Sequence, residues 1–164
     1  MFVFSFKNFR LYFTCALLLL AGFASVLAVR QSPGAPDASV LSSLRAEEES
    51  LCRSFLQSKG WSVSDISPEI SEVTVPEKFN NVYSAYNELQ KLQGFDLAPY
   101  CGTTVKKYVF ILTEYPGAAR DDPIRATLLL CEGRIVGGDI SSVRSDGFMH
   151  GFSFETADYE FYPT

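Results

Sequence analysis

Histidine and tryptophan each occur once in this chain of 164 residues, and methionine only twice. With His150 as its only imidazole, the chain has no site built on two or more histidines. It contains no Gly-x-Ser-x-Gly, no Cys-x-x-Cys, no Gly-rich phosphate loop and no dinucleotide fingerprint. Acidic residues are missing before Asp37, and no charge of either sign lies between Arg10 and Arg30. An excess of basic charge is missing too. With 14 basic and 19 acidic side chains the net charge is −5, which argues against a nucleic-acid partner.

What is present is a normal hydrophobic share, 47%, and one long apolar run. Leu11–Val29 reaches about 28 Å as a helix, close to the roughly 30 Å hydrocarbon core of a bilayer. Lys7 and Arg10 precede it, so the positive-inside bias keeps residues 1–10 cytoplasmic. Residues 11–29 are expected to be a transmembrane anchor or signal segment, with the lipid bilayer as partner. Val26-Leu27-Ala28 offers a cleavage site, and cutting after Ala28 would release the rest. Residues 30–38, with Pro33, Gly34 and Pro36, read as a linker, and 39–164 as an extracytoplasmic α+β domain. Beyond Arg30 the remaining 11 basic residues face all 19 acids, a net of −8.

In that body, Leu41, Leu44, Leu51, Phe55 and Leu56 predict a helix over about 38–59, ending at Gly60. Its acidic run Glu47-Glu48-Glu49 reads as a solvated face, with Glu49 and Arg53 forming an i,i+4 pair. Trp61 and Val63 read as a short extended piece, and Val73 and Val75 as a strand ending at Pro76. Val82, Ala85, Tyr86, Leu89 and Leu92 mark a second helix over about 79–93, stopped by Gly94. Residues 104–115 are apolar on both faces, as in a central strand. Residues 124–131 and 134–142 form a hairpin about Glu132-Gly133, and a final strand is expected near Gly151–Phe154 or at Phe161. The fold class is α+β, with two helices packed on one face of a small antiparallel sheet. A two-residue turn pairs Leu128 with Gly137, Thr127 with Gly138 and Ala126 with Asp139. Two adjacent strand glycines signal a bulge or the close approach of another group. The expected register puts Cys131 across from about Tyr108 and far from Cys101, which predicts free thiols.

Four separated stretches carry a family likeness: Val73-Thr74-Val75-Pro76-Glu77-Lys78-Phe79, Tyr86 through Leu97, Ile135-Val136-Gly137-Gly138-Asp139-Ile140, and Asp146-Gly147-Phe148-Met149-His150-Gly151. Together they resemble a bacterial extracytoplasmic family, domain of unknown function 4830, over roughly residues 50–152. The chain departs from that pattern at Glu114, where Asn is usual, and at Ser141, where Cys is usual. The resemblance implies a fold and a location outside the membrane, and it implies no activity.

Chemistry has few candidates. Asp139, Ser141 and His150 are the residue types of a hydrolase triad, and a Ser145–Gly151 loop folded over the glycines brings His150 to Asp139. A structural His–Asp latch is the simpler reading of that pair. Tyr86 reads as groove lining or core. Asp96, Asp139 and Asp146 lack the spacing of a calcium loop. The expectation is a membrane-tethered domain that binds an envelope protein or ligand, without metal, cofactor or catalytic residues. The alternative is a small envelope hydrolase using His150 and Asp139.

Overall fold

The computed structural model describes residues 37–117, 123–144 and 147–153. The Leu11–Val29 run and most of the linker lie outside these, as do Asp146, Phe154 and Phe161. Among the described residues no helix is long and apolar enough to cross a membrane. The chain divides into two units, Met1–Leu41 and Ser42–Thr164, and the sheet belongs to the second.

Helix α1 spans Ala38–Ser58. At its start the Asp37 carboxylate accepts the Ser39 N–H at 3.2 Å. Beyond its end Gly60 takes the left-handed conformation at φ +87°. Strand β1 is Glu69–Thr74 and helix α2 is Asn81–Leu92. The Asn80 side chain caps α2 by accepting the Tyr83 N–H at 2.8 Å. A 3₁₀ turn at Ala98–Tyr100 leads into β2 (Thr104–Ile111), β3 (Ile124–Cys131), β4 (Arg134–Ser142) and β5 (Met149–His150). The last strand precedes the expected Gly151–Phe154. Sheet order is β1-β2-β3-β4-β5 with every neighbour antiparallel, a simple meander. Val63 adds a single bridge to Leu112.

The helices lie on opposite faces of this sheet, not on one. Strand side chains alternate in direction, and the buried residues sort accordingly into two clusters. Cys52 and Leu56 of α1 pack with Tyr108, Phe110, Ala126, Leu128, Leu130 and Ile140. Tyr83 and Tyr86 of α2 pack instead with Leu97, Val105, Leu129 and Val136. A sheet with two apolar faces needs a cover on each.

Both helices also turn differently from their apolar pattern. Leu44 and Leu51 stay about half exposed, while Cys52 and Glu48 face the sheet. Glu48 is not solvated like the rest of its acidic run. Its carboxylate accepts two hydrogen bonds from Lys106, at 2.8 and 2.7 Å, and one from the Tyr108 hydroxyl at 2.6 Å. Burial pushes its pKa up, but these bonds and the Lys106 charge outweigh that and hold it below the ordinary value. The Glu49–Arg53 pair forms as expected, at 2.8 Å. On α2, Val82 and Leu92 are exposed, and Asn87, Leu89 and Gln90 are buried.

The β2–β3 register pairs Tyr108 with Leu128, three residues from the expected Cys131. The three described cysteines, Cys52, Cys101 and Cys131, are free thiols. Between β3 and β4 the two-residue turn is present, with Glu132 at φ 49° and Gly133 at φ 72°. Cys131 pairs with Arg134 and Leu130 with Ile135, but Leu129 pairs with Gly137. Val136 is therefore the extra residue of a β-bulge. Beyond it every β4 partner is one residue off expectation: Leu128–Gly138, Thr127–Asp139 and Ala126–Ile140.

Candidate functional site

The bulge decides where the candidate residues go. Without it Asp139 would pair with Ala126 and share the α1 face. With it Asp139 pairs with Thr127 and points to the α2 face, because a one-residue slip inverts every side chain. His150 pairs with Ile140 and stands on the α1 side among Trp61 and Tyr115. Asp139 and His150 are thus on opposite faces, and the expected His150–Asp139 contact does not form. The hydrolase alternative loses its geometry with that contact.

Asp139 is brought together with Tyr86. The Tyr86 hydroxyl donates to Asp139 Oδ2 at 2.9 Å, linking α2 to β4. Only 4% of Asp139 is exposed, and its Oδ1 accepts no hydrogen bond. Burial raises its pKa from 3.8 to about 6, although the Tyr86 bond, the nearby Ser141 hydroxyl and the Lys107 charge all favour the ionised form. The Tyr86 phenol is raised well above its ordinary value, by burial first and by the Asp139 charge second. Ser141 lies two residues further along the same strand face, partly buried.

Two residues of α2 and the one that caps its end, all passed over by the sequence reading, complete this site. Gln90 is fully buried, and its Oε1 accepts the Gly138 N–H at 2.8 Å while its Nε2 has no partner. Gln93 donates to the Gly138 carbonyl at 3.1 Å and accepts the Phe152 N–H at 2.7 Å. The two glutamines thereby satisfy the β4 backbone where β5 does not reach it. Asn87 donates to Asp96 at 2.9 Å and accepts the Leu97 N–H at 2.7 Å, fixing the loop that follows α2. The spacing 86, 90, 93 on one helix face was the available signal, obscured because glutamine reads as surface.

The glycines leave room for this arrangement. A Cβ on Gly137 would lie 2.9 Å from Gln90 Oε1. A Cβ on Gly138 would collide with the Thr127 carbonyl and the Phe152 ring. The close approach expected at the glycines is therefore made by Gln90 and Phe152, and not by His150.

His150 forms its own centre. Its Nδ1 donates to the Gly151 carbonyl at 2.6 Å, which leaves Nε2 to accept the Tyr115 hydroxyl at 2.9 Å. Burial lowers its pKa, opposed by the Gly151 bond, so the ring is neutral. Trp61 stacks on Tyr115 at 5.8 Å, and Phe148 stacks on Tyr115 at 4.8 Å and on His150 at 5.5 Å. The Trp61 indole donates to the Phe152 carbonyl at 2.8 Å. Among the described residues, no three His, Cys, Asp or Glu side chains come together as a metal site.

No curated protein and no solved structure matches the chain. A family model, domain of unknown function (DUF4830), matches residues 55–140, from the last turn of α1 to Ile140 in β4. That span holds Tyr86, Gln90, Gln93, the bulge and Asp139, and it takes in Trp61 and Tyr115 of the second centre but not Phe148, His150 or Phe152. The match takes in just over half of the chain, which therefore belongs to the DUF4830 family.

Proposed function

We propose that this is a non-catalytic binding or regulatory module, tethered to the cytoplasmic membrane by residues 11–29 and displayed on its outer side. One observation carries the non-catalytic part: the polar groups with chemical potential fasten elements to one another. Asp139 holds α2 through Tyr86, and His150 holds Tyr115 to the backbone at Gly151. The tether rests on the uncharged Leu11–Val29 run and the basic residues before it.

Two experiments test the reading. The full-length protein is expected to stay with membranes through high-salt and carbonate washes, and protease added to spheroplasts is expected to remove the body. A soluble mature form beginning at Val29 would overturn the tether and leave export standing. In a deletion strain, folded His150→Gln and Asp139→Asn variants are expected to restore whatever envelope phenotype the wild type restores. Failure of both, with normal levels and folding, would revive the hydrolase.

A further inference from the structure

Asp139 is a carboxyl group buried under a helix, joined to that helix by one hydrogen bond and short of a donor at its second oxygen. We propose that the burial of Asp139 beneath α2 is a proton-operated latch: α2 stays docked on β4 when Asp139 is protonated and loosens when it ionises, against the pull of the Tyr86 hydrogen bond. This is a property of the fold and goes beyond the binding reading, since it holds wherever the domain resides.

The groups facing Asp139 come from each element around it. Helix α2 contributes the Tyr86 hydroxyl and, behind it, the Tyr83 ring at 6.1 Å. Strand β2 contributes the Lys107 charge, β3 its register partner Thr127, and β4 itself the Ser141 hydroxyl. Lys107 is the one charged group named among these, and it makes no ion pair with Asp139. Ionised Asp139 would keep the Tyr86 bond at Oδ2, with the Ser141 hydroxyl and the Lys107 charge nearby. Its Oδ1 would stay unpaired in a place that excludes water, a costly state for an anion. Moving α2 outward gives the carboxylate water. The same motion releases Gln90, whose buried Nε2 also lacks a partner, and uncovers Leu129 and Val136.

The sign and window follow from the two carboxyl states. With α2 docked, burial holds the Asp139 pKa at about 6; with α2 displaced it returns to about 3.8. Well below pH 3.8 both states are protonated and the latch is at full strength. Between roughly pH 4 and 6 the opening equilibrium rises about tenfold per unit, and above 6 it levels off about 100-fold higher.

Hydrogen exchange on the full-length chain tests this, read at the backbone amides of residues 81–92 and corrected for the intrinsic pH dependence. The wild type is expected to show the 100-fold rise with its plateau near pH 6, and Asp139→Asn a flat profile. Tyr86→Phe removes a bond that favours the ionised form, so its plateau is expected at higher pH. A flat wild-type profile, a sloping Asp139→Asn profile, or a Tyr86→Phe plateau that stays or moves down would each overturn the latch. Should Asp139→Asn fail to fold, isotope-edited infrared spectroscopy of wild-type aspartates decides. A protonated carboxyl band lost near pH 6 supports the proposal, and its loss near pH 4 overturns it.

Discussion

Gly138 has less room than Gly137, the other glycine of the site. Both neighbours of an added Cβ, the Thr127 carbonyl and the Phe152 ring, are held by the sheet and the core. Gly138→Val is expected to cost about 1–3 kcal/mol or more from overpacking, measured by urea denaturation. Gly137→Ala meets the side chains of Gln90, at 2.9 Å, and Leu97, at 3.3 Å, with no backbone in the way, and is expected to cost less. At Glu48 the effect is one of charge. Its pKa is held low in the fold, so the stability it contributes is present above its ordinary value and lost as pH falls. Glu48→Gln should remove that acid limb from a stability–pH curve. A stability loss of the same shape in the variant would assign the limb to another carboxylate.

Element positions were largely legible in the residues, and facing directions were not. Gly60, Gly94 and Glu132-Gly133 mark ends and turns because each takes a left-handed conformation that few sequences allow. The strands of residues 104–111 and 124–131 show in their apolar content. The orientation of α1 and α2 was hidden because Glu48, partly buried, and Asn87 and Gln90, both buried, are polar groups matched to specific partners. Hydrophobic periodicity sees no partners, and so it turned both helices toward Leu44, Leu51, Val82 and Leu92. The bulge was half legible. Paired glycines indicated an irregularity, but nothing local says that Val136 is the residue left over. Missing it put Asp139 on the wrong face and drew His150 to it. The turn itself offers a test. Glu132 sits at φ 49° without glycine's freedom, a conformation that costs an ordinary residue about 1–2 kcal/mol. Glu132→Asn is expected to stabilise the protein by about 1 kcal/mol, seen as a higher urea midpoint at unchanged slope. No gain would mean that the Glu132 side chain has a compensating contact.

Across the whole molecule Glu48 and His150 respond to protons in one direction and Asp139 in the other. On the α1 side, Glu48 and the neutral, buried His150 both favour higher pH: each has a lowered pKa, so their stability fades as pH falls. On the α2 side Asp139 favours lower pH, and its contribution fades as pH rises from about 4 to about 6. A raw stability curve mixes the two. The difference between Asp139→Asn and wild type isolates one of them, and is expected to grow by about 2 kcal/mol in favour of the variant between pH 4 and 7. A constant difference would show that Asp139 titrates alike in the folded and unfolded chains. The bulge gives this division a genetic side. Deleting the single codon for Val136 would close the bulge and keep every β3–β4 pair, with Asp139 still opposite Thr127 on the α2 side. The bulge is in this sense one spare codon, which a lineage could lose without turning any ionisable group over. A lineage that kept the codon and lost the bulge would exchange inside for outside from Gly137 onward.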